Sequence, residues 1–209
     1  MPNVSNVKAK YFGVSTATDR NGVCAAQTTA GAASLTLDGA GVTDSVATWG
    51  TNAGATVSVY AASANTGVNF SITGADLFGV SQTESLTGPG AGATVNTTAY
   101  FVTVTAVSVD AAITGNAEVG WTRPATDVGG VFKGRTRIRG LQGLSGSTAG
   151  DVSFNNTSIT GTTLLTIPTQ AAAELIEPYI PDNGVLFDAG AYISYANGVL
   201  AGITVFYDG

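Results

Sequence analysis

Tyr100, Val102, Val104 and Ala106 alternate along the chain with Phe101, Thr103, Thr105 and Val107. A period of two places successive side chains on opposite faces of an extended strand, whereas a helix repeats every 3.6 residues. The same alternation of β-branched and small polar residues predicts strands at 34–38, 56–61, 68–73, 81–87 and 99–109. It resumes at 132–139, 151–154, 162–167, 185–187, 191–195 and 202–207. Both faces of 99–109 carry apolar groups, as in the centre of a sandwich. Asn21-Gly22, Asp38-Gly39, Gly88-Pro89-Gly90, Asn183-Gly184 and Asn197-Gly198 read as tight turns, since Gly and Asn adopt positive φ at little cost. Helical propensity is confined to 171–176, and Pro178 limits it to one turn.

With 44% hydrophobic and 11% charged residues, the 209-residue chain has too much apolar surface and too little charge for a disordered polymer. Its length suits one large or two small domains, each able to bury a core without a metal or disulfide. The alternation breaks at Trp121-Thr-Arg-Pro-Ala-Thr-Asp-Val-Gly-Gly130. The expected organisation is therefore all-β: two β-sandwich or jelly-roll-like domains at 11–121 and 132–209, a linker at 122–131, and an extended N-terminal arm at 1–10. Ile/Leu-Thr-Gly recurs ending at Gly74, Gly88, Gly115 and Gly161, but the irregular spacing reads as strand-end chemistry, not a repeat architecture.

The chain contains no histidine, so Ser-His-Asp and Cys-His nucleophiles, histidine-bearing zinc sites and imidazole acid–base chemistry have no residue to use. Glu174 and Glu177 form the closest carboxylate pair, in a short Pro-bounded segment that reads as solvated, not as the pair around a glycosidic bond. Gly129-Gly-Val-Phe-Lys-Gly134-Arg135-Thr136 departs from a P-loop, because Arg135 stands where Lys is required and the following residues alternate as a strand. Gly88-Pro-Gly-Ala-Gly92 lacks the helix of a dinucleotide site. No stretch matches a calcium loop. The expectation is a protein that is not an enzyme and carries no cofactor or metal.

A net charge of −6 disfavours nucleic acid as partner. No apolar run approaches 18 residues, so no membrane partner is expected. The N-terminal residues read as neither a signal peptide nor an anchor, which predicts synthesis in a cytoplasm and leaves the sequons at Asn3, Asn69, Asn96, Asn155 and Asn156 unused. Cys24, the single cysteine, reads as a small buried hydrophobe.

Half of the eight basic residues, Lys133, Arg135, Arg137 and Arg139, recur at a period of two, with Phe132, Gly134, Thr136 and Ile138 between them. On one strand they would share a face. They either solvate an edge strand against aggregation or form a docking ladder for an acidic surface on a neighbouring subunit, where Arg pairs carboxylates bidentately. Within the arm, Val4, Val7, Lys8 and Lys10 are the expected contacts. Trp49 and Trp121 read as core residues, with stacking on sugars as the alternative, and Phe187, Tyr192, Tyr195, Phe206 and Tyr207 as the core of the second domain.

Thr-Glu-Ser-Leu-Thr-Gly-Pro-Gly-Ala-Gly followed by Phe-Val-Thr-Val-Thr-Ala-Val-Ser-Val resembles virion structural proteins of tailed bacteriophages. The strings Thr-Thr-Leu-Leu-Thr-Ile, Ile-Pro-Asp-Asn-Gly-Val-Leu-Phe, Gly-Ala-Tyr-Ile and Ile-Thr-Val-Phe-Tyr are similar to a small β-module of phage head-associated proteins. The resemblance implies a capsid cement or decoration protein on the virion surface, a homo-oligomer, often a trimer, whose partner is the major capsid protein. A tail or neck component and a carbohydrate-binding or adhesin module are the alternatives.

Overall fold

Alternating chains bury one face only by pairing sheets, and the computed structural model, which describes residues 6–181 and 183–209, does this in two compact units. The strands in order are β1 (Val7–Gly13), β2 (Asp19–Gln27), β3 (Ala33–Ser34), β4 (Val42–Thr43), β5 (Val46–Thr48), β6 (Ala55–Ala61), β7 (Asn69–Ala75), β8 (Ser81–Thr87), β9 (Ala93–Phe101) and β10 (Thr103–Val109). They continue as β11 (Ala117–Thr122), β12 (Thr126–Phe132), β13 (Thr136–Ser145), β14 (Gly150–Asn156), β15 (Thr163–Thr169), β16 (Leu175–Ile176), β17 (Val185–Phe187), β18 (Ala191–Ala196) and β19 (Leu200–Asp208). The fold is all-β and of the β-sandwich type; the described residues contain no helix, and 171–176 holds only the short strand β16.

The first unit comprises Ser15–Gly50 and Gly54–Pro124. Its pairings are nested: β7 with β8, β6 with β9, β5 with β10 and β2 with β11, all antiparallel. This is one long hairpin ribbon. Cross-pairings of β11 with β6 and β10 with β7 wind it into two sheets, ordered β2-β11-β6-β9 and β4-β5-β10-β7-β8. A ribbon so wound is a jelly roll. One core joins the sheets, with Val23, Val57, Val59 and Val119 from one and Phe70, Ile72, Val104 and Val107 from the other.

The second unit comprises the described residues up to Val14, Thr51–Ala53 and Ala125–Gly209. Its ribbon is shorter, with β14 on β15, β13 on β16 and β17, and β12 on β18. The cross-pairings β14·β18 and β13·β19 close the sheets β12-β18-β14-β15 and β1-β19-β13-β16. Phe12, Ile138, Ile203 and Val205 pack against Val152, Phe154, Ile193 and Tyr195.

Several expectations are corrected. Residues 7–10, expected in an arm, belong to β1, which pairs with β19 from Val7↔Asp208 to Gly13↔Gly202; residues 1–5 lie outside the described residues. Residues 11–14 and 51–53 pack with the C-terminal unit, not with the first domain. The expected linker contains β12, with 127–131 buried, and the units change over at Pro124. The single strand expected at 99–109 breaks at Val102, where the chain leaves the sheet of β6 for the sheet of β7. Asn21-Gly22 is no turn. It lies inside β2, where the Trp121 ring occupies the space a Cβ on Gly22 would need.

Candidate functional site

The four period-two cations do not share a strand. β12 ends at Phe132 and β13 begins at Thr136, so Lys133 and Arg135 lie in the connection around Gly134 (φ 134°), and Arg137 and Arg139 lie on β13. An L side chain rarely adopts that φ, so the glycine interrupts the strand expected there. Within β13 the alternation holds: Thr136 and Ile138 are buried beneath Arg137 and Arg139. Arg135 meets Asp188 at 3.6 Å, Arg139 meets Asp208 at 3.6 Å, and Arg137 Nη1 donates to the Asn183 carbonyl at 3.0 Å. Such exposed pairs contribute little and exchange partners readily.

Lys8 and Lys10 turn toward the flank of the second unit's core. The Lys10 ammonium donates to the Gly130 carbonyl at 2.7 Å and lies 5.5 Å from the Phe12 ring centroid, and that of Lys8 lies 5.8 Å from the Phe132 ring. Their alkyl stems cover aromatic surface while their charges reach water. Val7 is on the opposite face of β1, and Val4 lies outside the described residues.

That opposite face is unusual. Outward residues of the β1-β19-β13-β16 sheet form four cross-strand rows: Val7, Asp208, Arg137 and Leu186; Ala9, Phe206 and Gly140; Tyr11, Thr204 and Gln142; Gly13, Gly202, Leu144 and Leu175. The outer face of a sandwich is ordinarily polar. Here Val7 is 41% exposed, Tyr11 46%, Leu144 42% and Leu175 64%. The Tyr11 ring lies across Gly202, where a Cβ would meet it, and the Phe206 side chain lies over Gly140. Two rings of this face thus rest on glycines of the neighbouring strands.

The ends of this face differ in charge. A groove of about 240 Å³ lined by Arg135, Arg137, Leu186 and Asp208 lies at the start of β13. At the far end of β13 a second groove of about 240 Å³ runs between β16 and β15 of the facing sheet, lined by Ser145, Ile167, Thr169, Glu174, Leu175 and Glu177. The segment carrying the two glutamates is tied to β13 by bonds from Ser145 N to the Glu174 carbonyl (2.9 Å) and from Glu174 N to Ser145 Oγ (2.8 Å). Ala173 stands there at φ 51°. Glu174 and Glu177 thus rim a surface groove and do not face each other across an enclosed cleft. The sequence pattern missed Tyr11, Phe206, Leu144 and Leu175 as surface residues, because exposed and buried apolar groups alternate identically when both faces are apolar.

In the first unit a groove of about 530 Å³ is rimmed by Thr16, Thr18, Asp19, Thr43 and Thr48 with Trp121 at its wall. Trp121 is 4% exposed, donates Nε1–H to the Ala17 carbonyl at 2.9 Å and sits 5.5 Å from the Trp49 ring, itself 1% exposed. Both indoles are core residues and offer no exposed stacking platform. Phe187, Tyr195 and Tyr207 are core residues of the second unit, whereas Phe206 and Tyr192 are half-buried. Cys24 is buried, and burial, helped by the nearby Asp38 charge, pushes its thiol up to about 12. Among the described residues no three His, Cys, Asp or Glu side chains gather as metal ligands would.

No protein-family model, curated protein or solved structure matches this chain.

Proposed function

We propose that this chain is a structural component of a bacteriophage virion, a capsid cement or decoration protein that binds the major capsid protein and acts through contact surface, not through reactive groups. The observation that carries the reading is the nested ribbon of β2, β5, β6 and β7 on β11, β10, β9 and β8, wound as a jelly roll. That architecture recurs in viral capsid and lectin domains, and the burial of both indoles favours the first over the second. The sequence strings that resemble phage head proteins support the same choice, as argument by likeness.

In this reading the jelly-roll unit and the second unit divide the charge. Six of the eight cations stand in the second unit against seven carboxylates, whereas the jelly-roll unit has two cations against seven. The cationic end around Arg135, Arg137 and Arg139 docks on an acidic surface of a neighbouring subunit, and repetition of modest contacts by symmetry supplies avidity.

The test is co-sedimentation of the purified chain with capsids assembled from the major capsid protein. Saturable binding that weakens when Arg135, Arg137 and Arg139 are changed to Ser is expected. No binding at any ratio sinks the cement reading, and binding unaffected by the triple substitution sinks the role of the arginines.

A further inference from the structure

We infer that the outer face of the β1-β19-β13-β16 sheet is a self-association surface, and that its occupant is the same face of a second copy of this chain, packed sheet on sheet about a two-fold axis. This deepens the docking reading given above by naming the neighbour that the arginines meet.

Three observations converge on it. Four of the seven large hydrophobic side chains that are exposed among the described residues, Val7, Tyr11, Leu144 and Leu175, lie on this one face. Scattered exposed hydrophobes are ordinary; a cluster on one face marks an interaction surface. Tyr11 and Phe206 lie over Gly202 and Gly140, and twisted sheets pack face to face with about 10 Å between them.

The charges supply the choice of partner. Arg137 and Arg139 stand near the start of β13, and at its far end Glu177 follows β16 two residues beyond the outward Leu175, the partner of Leu144. A two-fold axis lying between the sheets and across the strands brings the cationic end of each copy onto the acidic end of the other. One rotation therefore forms the charge match twice, brings the row of Val7 onto that of Leu144 and Leu175, and sets the rings of Tyr11 and Phe206 in facing rows. An isologous contact requires such self-complementarity. The arginines are within reach for this exchange, because their present partners, Asp208 and the Asn183 carbonyl, are at the surface.

The size sets the strength. Three strands of seven or more residues, β1, β19 and β13, with the short β16 and β17 sharing the fourth position, stand about 4.8 Å apart and cover roughly 19 by 20 Å, or about 400 Å² per copy. Two copies then bury on the order of 800 Å² plus flanking loops, below the roughly 1,200 Å² at which stable specific interfaces begin, so the dimer is a weak, transient one, with Kd in the micromolar range or above. Assemblies built on this contact have two-fold symmetry, in place of the trimer implied by the resemblance.

Sedimentation velocity of the full chain from about 1 to 500 μM tests this, with circular dichroism and thermal melting to verify that each variant keeps the fold. The wild type is expected to shift from monomer to dimer within that range. Leu175→Asp, at an exposed position, is expected to weaken dimerisation at least tenfold without altering the melt. Arg137→Glu and Glu177→Arg are each expected to be monomeric alone and to form a dimer when mixed, since only the mixed pair restores both charge matches. A wild type that stays monomeric throughout, a dimer indifferent to Leu175→Asp, or single variants that mixing does not rescue would overturn the inference. A monomer that still sediments with capsids removes the second copy and keeps the cement reading; a dimer that ignores capsids does the reverse.

Discussion

Gly22 shows how a single missing side chain decides a strand. Its Cβ position is occupied by the Trp121 ring, and Gly41 approaches the same ring atoms. Gly22→Ala is therefore expected to force the indole from its place against Trp49 and to cost about 1–3 kcal/mol, as overpacking does. Chemical denaturation measures this, and an unchanged midpoint would contradict it. Cys24 yields a second residue-level prediction. The folded thiol titrates near 12 against 9.0 for the unmodified group, with burial as the main cause. Between those values the unfolded chain has lost the proton and the folded chain retains it, so stability falls as pH rises above 9. A disulfide exchange reagent at pH 8 should label Cys24 only in denaturant, because the thiolate is the reactive species. Asp110 acts in the opposite direction: bonds from the Asn69 backbone amide and then its side chain, at 2.8 and 2.7 Å, hold its carboxyl below the ordinary value. Its contribution is present near neutrality and is lost as pH falls through that lowered value.

Elements differ in how far their residues announce them. β6, β7, β8, β18 and β19 were legible because their burial alternates or runs continuously beneath β-branched residues. β1 was hidden because its lysines lie toward the core flank over Phe12 and Phe132, while Val7, Ala9 and Tyr11 face outward, the inverse of the usual code. β2 was hidden by an Asn-Gly pair whose glycine serves ring packing, not a turn. The basic ladder was half legible: its spacing continues through Gly134, where the backbone changes direction. Placing 7–10 in a strand also changes the meaning of a truncation. Deleting residues 1–10 removes four of the seven β1 residues that pair with β19, so the melting temperature is expected to drop by more than about 5 °C, whereas loss of an arm would leave it unchanged. A local clamp is equally testable. Glu84 on β8 accepts the backbone amides of Thr98 and Ala99 at 2.7 and 2.9 Å, and Gln82 donates to the Tyr100 carbonyl at 2.6 Å, joining β8 to β9 at the sandwich margin. Glu84→Ala leaves two amides without that acceptor and is expected to cost about 1–3 kcal/mol, read from the denaturation midpoint.

At the scale of the whole molecule, two wound ribbons place six of the eight cations and, among the described residues, six of the seven exposed large hydrophobes on the second unit, and leave the unbalanced carboxylates on the first. Composition and alternation made the all-β class legible, because 11% charge and a two-residue period leave paired sheets as the economical way to bury the apolar faces. The winding was not legible, since it depends on which strands pair across long sequence separations, as β2 does with β11. The apolar face was not legible either, because it requires the register of β1, β19, β13 and β16 together. In the role proposed above, the protein acts as a subunit that occupies a place in a particle. Quantitative mass spectrometry of purified virions tests that claim most directly. Hundreds of copies per particle, in fixed proportion to the major capsid protein, are predicted; tens would move it to the neck or tail, and absence from the particle would contradict the account.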